Sequence, residues 1–278
     1  MTKPDTRPEP ATPYVDPLAG IMLIDKPVGP TSMRMCSIVR AKLVAAGAPK
    51  RVKVGHGGTL DPLASGLMVA LVGPATKLCD QIMVGEKGYR ARIDLAHTSP
   101  TDDLESDPVP ADIAAPLTRA QIEAVFPEFT GRIMQAPPAH SAMKVDGKRA
   151  YELARAGKID RLAERPVEIH ELSIAGYEWP MLDLDIRCGK GTYIRSLARD
   201  LGRTLGVGGM LAGLRRTRIG RFSIKDARPL DNLPATLVQS DLLIIPEVRT
   251  ILDRRRRAQG LPPTDPTTTG PAPDADPR

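Results

Sequence analysis

Three short stretches of this sequence hold residue types that could carry out chemistry at a fixed spacing. In Gly55-His56-Gly57-Gly58-Thr59-Leu60-Asp61-Pro62, glycines permit backbone conformations closed to other residues, and a carboxylate follows with a proline behind it restricting its backbone. An aspartate so held is fixed in place rather than free to swing, as a site carboxylate has to be. It equally suits a cap for a turn or helix that begins at Pro62. His56 carries the same pair of readings, a site histidine or a turn residue bonding its own backbone. The second stretch, Lys190-Gly191-Thr192-Tyr193-Ile194-Arg195, puts Arg195 about one turn into an expected helix. There it can pair with a carboxylate and keep it anionic, with Tyr193 beside it. The third, Lys87-Gly88-Tyr89-Arg90, opens an alternating strand with Tyr89 on its apolar face, as a core residue or as an aromatic platform.

Other chemistries fail on spacing. The glycines at 55, 57 and 58 do not complete a dinucleotide fingerprint, because position 60 is leucine. Lys190 is followed by glycine, not by the serine or threonine of a phosphate-binding loop. Cys36, Cys79 and Cys188 are far apart and form no CxxC or Cys/His cluster, so buried thiols are expected and neither a metal site nor a disulfide framework.

Positioning these residues calls for a mixed set of elements. The run from Gly20 reads as a strand, and Thr31 or Ser32 caps a helix that Gly47 stops. Leu67 to Val72 is an apolar strand, after which Pro74 starts a helix reaching about Met83. In residues 89 to 97 the apolar Tyr89, Ala91, Ile93 and Leu95 alternate with Arg90, Arg92 and Asp94, the pattern of a half-buried strand. Leu182, Leu184 and Ile186 alternate with charges in the same way, and Thr192 is placed to cap a helix ending at Gly202 or Gly206. Thr118 with Gln121 forms a capping box, Asp146-Gly147 a hairpin turn, and Gly157 a helix stop. Strands and helices do not alternate regularly, so the expected class is α+β with a mostly antiparallel sheet flanked by helices.

The 278 residues are 41% hydrophobic and 26% charged, enough for a real core. Only 3% are aromatic, so that core is aliphatic and an aromatic near a loop needs a reason to be there. The formal charge is +6, and both proline-rich ends are net acidic, which concentrates the basic excess between Leu18 and Gly260. Lys50, Arg51, Lys53, Lys87, Arg90 and Arg92 flank the candidate loops, as do Lys144, Lys148, Arg149 and the arginines from Arg215 to Arg221. Cations around scarce aromatics suit RNA better than a small neutral substrate. The longest apolar run, Leu67 to Val72, is far below the roughly 20 residues of a membrane helix, and the first residues lack an apolar signal region. A cytoplasmic protein without membrane contact is expected.

Six ordered blocks between Gly20 and about Ala227 resemble one family. They are GIMLIDKPVGPTS, VGHGGTLDPLASGLMVALVGPATKL, KGYRARIDLAHTSPTDD, QAPPAHSAMKVDGKRAYELARAG, CGKGTYIRSLARDLG and LAGLRRTRIGRF. Together they resemble the TruB family of bacterial tRNA pseudouridine-55 synthases. The resemblance implies the pseudouridine synthase fold, with the active site in a central cleft, and an isomerase acting on the T-arm of tRNA without metal or other cofactor. It implies that Asp61 is the catalytic carboxylate, that Arg195 pairs with it, and that Tyr89 stacks on the target base. Leu214 then lines the pocket and His56 helps to displace the target nucleotide. Lys26 lies near the catalytic loop as a structural residue or an RNA contact, Asp103 contacts the flipped nucleotide, and Tyr193 completes the substrate-binding set.

The blocks depart from the family pattern in two small ways: Ser99-Pro100-Thr101 stands upstream of the aspartates where the family usually has Thr-Asp-Thr, and Gly57 replaces a frequent threonine. The expected organisation is a disordered segment 1–17, a catalytic domain 18–230, a short extension 231–260 and a disordered tail 261–278. The extension stands where many relatives carry a small RNA-binding PUA domain. Its run Arg254 to Arg257 reads as a solvated helix end or as an auxiliary phosphate contact. A monomer is expected. The competing readings are an RNA-binding or tRNA-folding protein without catalysis on the same scaffold, and a pseudouridine synthase for another RNA.

Overall fold

The computed structural model describes residues 17–264 apart from 140, 142, 146, 147, 160 and 161. The two proline-rich ends, except for Pro17 and residues 261–264, and the Asp146-Gly147 turn lie outside the described residues. Strand β1 (Gly20–Lys26) leads into helix α1 (Ser32–Ala45), whose Thr31 cap accepts a hydrogen bond from the Arg34 amide at 3.0 Å. Strands β2 (Val54–His56) and β3 (Ala64–Val72) follow. The helix expected from Pro74 is two pieces, a 3-10 stretch Gly73–Leu78 and α2 (Cys79–Val84). After β4 (Lys87–Asp94), the polar stretch contains a small ribbon of β5 (His97–Thr98) and β6 (Val109–Pro110). Helix α3 (Arg119–Ala124) carries the complete Thr118/Gln121 capping box.

Next come β7 (Gly131–Gln135), the hairpin β8 (Lys144–Val145) and β9 (Lys148–Arg149), and α4 (Ala150–Arg155). The long β10 (Arg165–Glu178) and β11 (Met181–Cys188) precede α5 (Ile194–Leu205). Strands β12 (Met210–Ile219), β13 (Phe222–Ser223) and β14 (Arg228–Pro229) lead to α6 (Pro246–Arg257).

The main sheet runs β14-β1-β3-β12-β4-β11-β10-β7, antiparallel except where β14 pairs with β1 and β12 with β3. One edge of β3 is shared. Its residues Ala64, Ser65 and Gly66 pair with β12, while Ala70, Leu71 and Val72 pair with β2. At this fork the chain leaves the sheet as the loop that holds Asp61. Gly66 is required there, because at φ +104° a Cβ would lie 2.3 Å from the Arg216 carbonyl oxygen.

Three aliphatic clusters cover the sheet. Helix α5 places Leu197 and Leu201 on Ile93 and Leu184, and α1 places Met35, Val39 and Leu43 on Met22 and Met68. Helix α6 buries Val248 and Leu252 in the cluster that holds Leu23, Val69 and Ile82, while Leu233, Leu237 and Leu242 join the α1 cluster. Each such side chain contributes roughly 1.5–3 kcal/mol.

Two local expectations fail. Thr192 does not cap α5: its hydroxyl donates to the Gly189 carbonyl at 3.2 Å, and Tyr193 occupies the cap position with no side-chain capping bond. Asp94 does not face solvent with Arg90 and Arg92 but is buried, accepting bonds from the Ala96 amide and His97 Nδ1, both at 2.8 Å. Cys36 and Cys188 are buried as expected, and burial pushes both thiols up to about 11, whereas Cys79 is half-buried.

Candidate active site

The loop carrying Asp61 is fastened from four directions. Its Gly57 amide donates to Val69 at 2.8 Å, and its Asp61 carbonyl accepts from the Ala64 amide at 3.0 Å. The Gly29 amide, in the turn after β1, donates to the Pro62 carbonyl at 2.8 Å. At the start of α1, the buried Ser32 hydroxyl donates to the Leu60 carbonyl at 3.0 Å and accepts from the Leu60 amide at 2.9 Å. From β12, the Arg216 guanidinium donates to the carbonyls of Leu67 (2.8 Å), Thr59 (3.0 Å) and Gly58 (3.2 Å). Arg216 is 1% exposed, and Tyr89 is its register partner across the β12–β4 pair. Burial lowers the pKa of its guanidinium and raises that of the Tyr89 phenol.

The Asp61 carboxylate projects from this braced loop toward α5. Its Oδ2 lies 3.1 Å from Arg195 Nη2, the aspartate side chain 46% exposed and the arginine 8%. Arg195 Nη1 faces Asp103 Oδ2 at 3.4 Å and the Thr101 carbonyl at 3.4 Å. One buried cation therefore stands between two carboxylates, one in solvent reach and one buried. Asp103 is held in turn by the Glu105 amide, which donates to its Oδ1 at 2.9 Å.

Three hollows meet at Asp61 and Arg195. A cleft of about 340 Å³ is lined by Tyr89, Leu214, Tyr193 and Arg216, with Asp61 at its edge. A second of about 460 Å³ shares Leu214 and adds Asp103 and Leu211, and a third of about 710 Å³ shares Asp103 and adds His56 and Ser141. In the third, His56 Nδ1 and Ser141 Oγ are buried and have no hydrogen-bond partner among the described residues. Burial, then the positive Arg216, holds the His56 imidazole below its ordinary value and so neutral near pH 7.

All the residues singled out in the sequence are thus near one carboxylate, with one exception in manner. Lys26 is fully buried, its ammonium donating to the carbonyls of Pro27 at 2.8 Å and Pro30 at 2.9 Å. Of its two readings, this geometry is that of a structural brace for the turn beside the loop. The set of free surface cations also shrinks. Lys87 is buried and donates to the Met83 carbonyl, and Arg90, Arg92 and Arg215 are paired with Asp185, Asp183 and Asp25.

Sequence reading missed Ser32 as a loop anchor, Arg216 as a buried brace, and Gln135, whose side-chain amide bonds both the amide (2.8 Å) and the carbonyl (3.2 Å) of Tyr193. For Arg216 the one available signal was an arginine inside the strand-like run Leu211 to Ile219. Among the described residues no group of three or more His, Cys, Asp or Glu side chains could hold a metal ion, and no helix is long and apolar enough to cross a membrane.

The model of the TruB family pseudouridylate synthase N-terminal domain matches residues 46–194, and that of the tRNA pseudouridylate synthase B C-terminal domain matches residues 195–244. The chain belongs to the TruB family. A tRNA pseudouridine synthase B of Nitrobacter winogradskyi is 44% identical over 217 residues, covering 78% of this chain and 59% of that protein. The protein of the same name from Parabacteroides distasonis is 43% identical over 211 residues, covering 76% of this chain and 90% of the relative. This TruB chain therefore spans less than two thirds of the first relative and most of the second. Its fold is similar to a solved Cbf5-Nop10-Gar1 complex, with a TM-score of 0.59 and 29% identity, over 77% of this chain and 53% of the matched one. An H/ACA RNP bound to a substrate RNA containing 2'-deoxyuridine is also similar, at a TM-score of 0.56 and 27% identity, over 77% of this chain and 52% of that one.

Proposed function

We propose that this TruB chain converts uridine 55 in the T-loop of tRNA to pseudouridine, with Asp61 as the catalytic carboxylate. The observation that carries the reading is the Asp61–Arg195 pair at 3.1 Å, at the edge of a cleft lined by Tyr89 and Leu214. The reaction breaks the bond from uracil N1 to ribose C1' and joins C5 to C1'; N1 gains a proton and C5 loses one, so nothing is consumed. An ionised carboxylate serves whether it attacks C1' or first removes the C2' proton. Arg195 aims the Asp61 carboxylate, while Asp103 orients Arg195 from behind.

A uridine in a folded loop must leave its stack to reach Asp61, at a cost of a few kcal/mol. Stacking on Tyr89 and apolar contact with Leu214 offset that cost. His56, with a neutral ring and an unpartnered nitrogen, supplies a surface and a hydrogen-bonding atom where the base has left. Tyr193 forms another wall of the base cleft, and the tRNA T-arm is the partner. The names of the curated relatives support tRNA as the substrate.

Incubation with an unmodified tRNA transcript and mapping of pseudouridine tests this directly. Product is expected at position 55 with the wild type, and about 10³-fold less with the nearly isosteric Asp61→Asn. Product elsewhere, or full activity of the variant, overturns the reading.

A further inference from the structure

Tyr193 is gripped by two side chains that face each other across one strand pair. Arg165 of β10 and Gln135 of β7 are register partners. Gln135 is 2% exposed and holds the Tyr193 backbone through both of its amide atoms. Arg165 holds the ring, its guanidinium carbon 5.2 Å from the ring centroid. The same guanidinium reaches two other segments: Nη2 donates to the Gly191 carbonyl at 2.7 Å, and Nη1 lies 3.3 Å from Met143 Sδ. Met143 closes the base of the β8–β9 hairpin, its carbonyl accepting from the Ala150 amide at 2.7 Å. Arg165 also lines the cleft that holds Tyr89 and Asp61.

We propose that Arg165 is a positioning residue for the base cleft, clamping the β8–β9 segment through Met143 and the Gly191 turn to the Tyr193 ring. An arginine is required because its planar fork serves a carbonyl, a sulfur and an aromatic face at once; a lysine ammonium is a point charge that can serve one or two. Tyr193 immediately precedes Ile194 and Arg195, so the clamp also sets where α5 begins and where the cation opposite Asp61 stands. The base of the hairpin is then tied through Met143 to the wall of the pocket. The catalytic half of this proposal rests on the isomerase reading above.

The test combines activity with a measurement that needs none. In hydrogen exchange of the free protein, Arg165→Met is expected to speed exchange in both Gly191–Ile194 and Met143–Ala150, with Arg165→Lys in between. In single turnover with unmodified tRNA at saturating enzyme, Arg165→Met is expected to slow the reaction about tenfold while tRNA affinity stays within twofold. In a Tyr193→Leu background the same substitution is expected to add less than twofold, because the ring it acts through is gone. Unchanged exchange in either segment overturns the clamp. So does a loss of affinity matching the loss of rate, which would make Arg165 a phosphate contact, or an undiminished effect in the Tyr193→Leu background. Faster exchange in both segments with an inactive wild type upholds the clamp while removing the isomerase reading and the catalytic half with it.

Discussion

Ser32 and Leu60, far apart in the chain, exchange a reciprocal pair of hydrogen bonds: hydroxyl to carbonyl at 3.0 Å and amide to hydroxyl at 2.9 Å. Both are buried, so removing the hydroxyl leaves a main-chain donor and acceptor without a partner beside Asp61. Ser32→Ala is expected to cost about 2 kcal/mol in urea unfolding and to lower kcat more than it raises KM. A variant that matches wild type in both would mean that the loop holds its shape without α1.

Arg216 makes a sharper demand, since one guanidinium serves three carbonyls. Arg216→Lys keeps the charge but has no fork, and it leaves at least one of the loop carbonyls of Gly58 and Thr59 unbonded. Stability is expected to fall by about 3 kcal/mol, with kcat falling alongside it. A lysine variant within about 0.5 kcal/mol of wild type would show that hydration replaces those bonds.

The folded-state pKa of His56 is lowered by burial and then by Arg216. Below the unfolded value of about 6.5 the unfolded chain takes up a proton that the folded chain refuses. Folding stability is therefore expected to fall as pH drops from 7 through 6.5 toward the folded-state value, and to level off below it. His56→Asn should flatten that part of the curve in thermal unfolding between pH 7.5 and 5. Parallel curves for the two proteins would assign the acid sensitivity to other groups.

The arginine run at the end of α6 offers a different experiment. Arg254, Arg255 and Arg257 are exposed, while Val248 and Leu252 on the same helix are in the core. Removing the helix would open the core as well as remove charge, so substitution separates the effects. If these arginines meet phosphates, changing the three to glutamine should reduce the salt dependence of tRNA affinity by about 0.7–0.9 log units per log salt for each phosphate no longer neutralised. An unchanged slope would leave them as charges that favour a helix C-terminus.

Much of this site can be read from the chain because its signals are local. Thr31 caps α1, Thr118 and Gln121 box α3, and Gly206 closes α5 in the left-handed region, each decided by residues a few positions apart. What was not legible depends on strand order. Nothing near Arg216 indicates that β12 lies between β3 and β4, where its side chain meets the Asp61 loop and Tyr89. Gln135 and Arg165 acquire a shared role only because β7 and β10 pair in one register. Asp94 broke an alternating pattern because the chain turns there and its carboxylate serves the turn.

That insertion of β12 between two strands that precede it also bears on how the molecule is made. Strands β3 and β4 follow each other closely in the chain, yet their direct pairing would exclude the strand that both finally contact. During synthesis β12 emerges long after them, and long-range strand pairing of this kind is slow to form. Until it threads into that gap, the Asp61 loop lacks its Arg216 brace and Tyr89 its register partner. A chain that ends before β12 therefore lacks the strand that completes the cleft around Asp61.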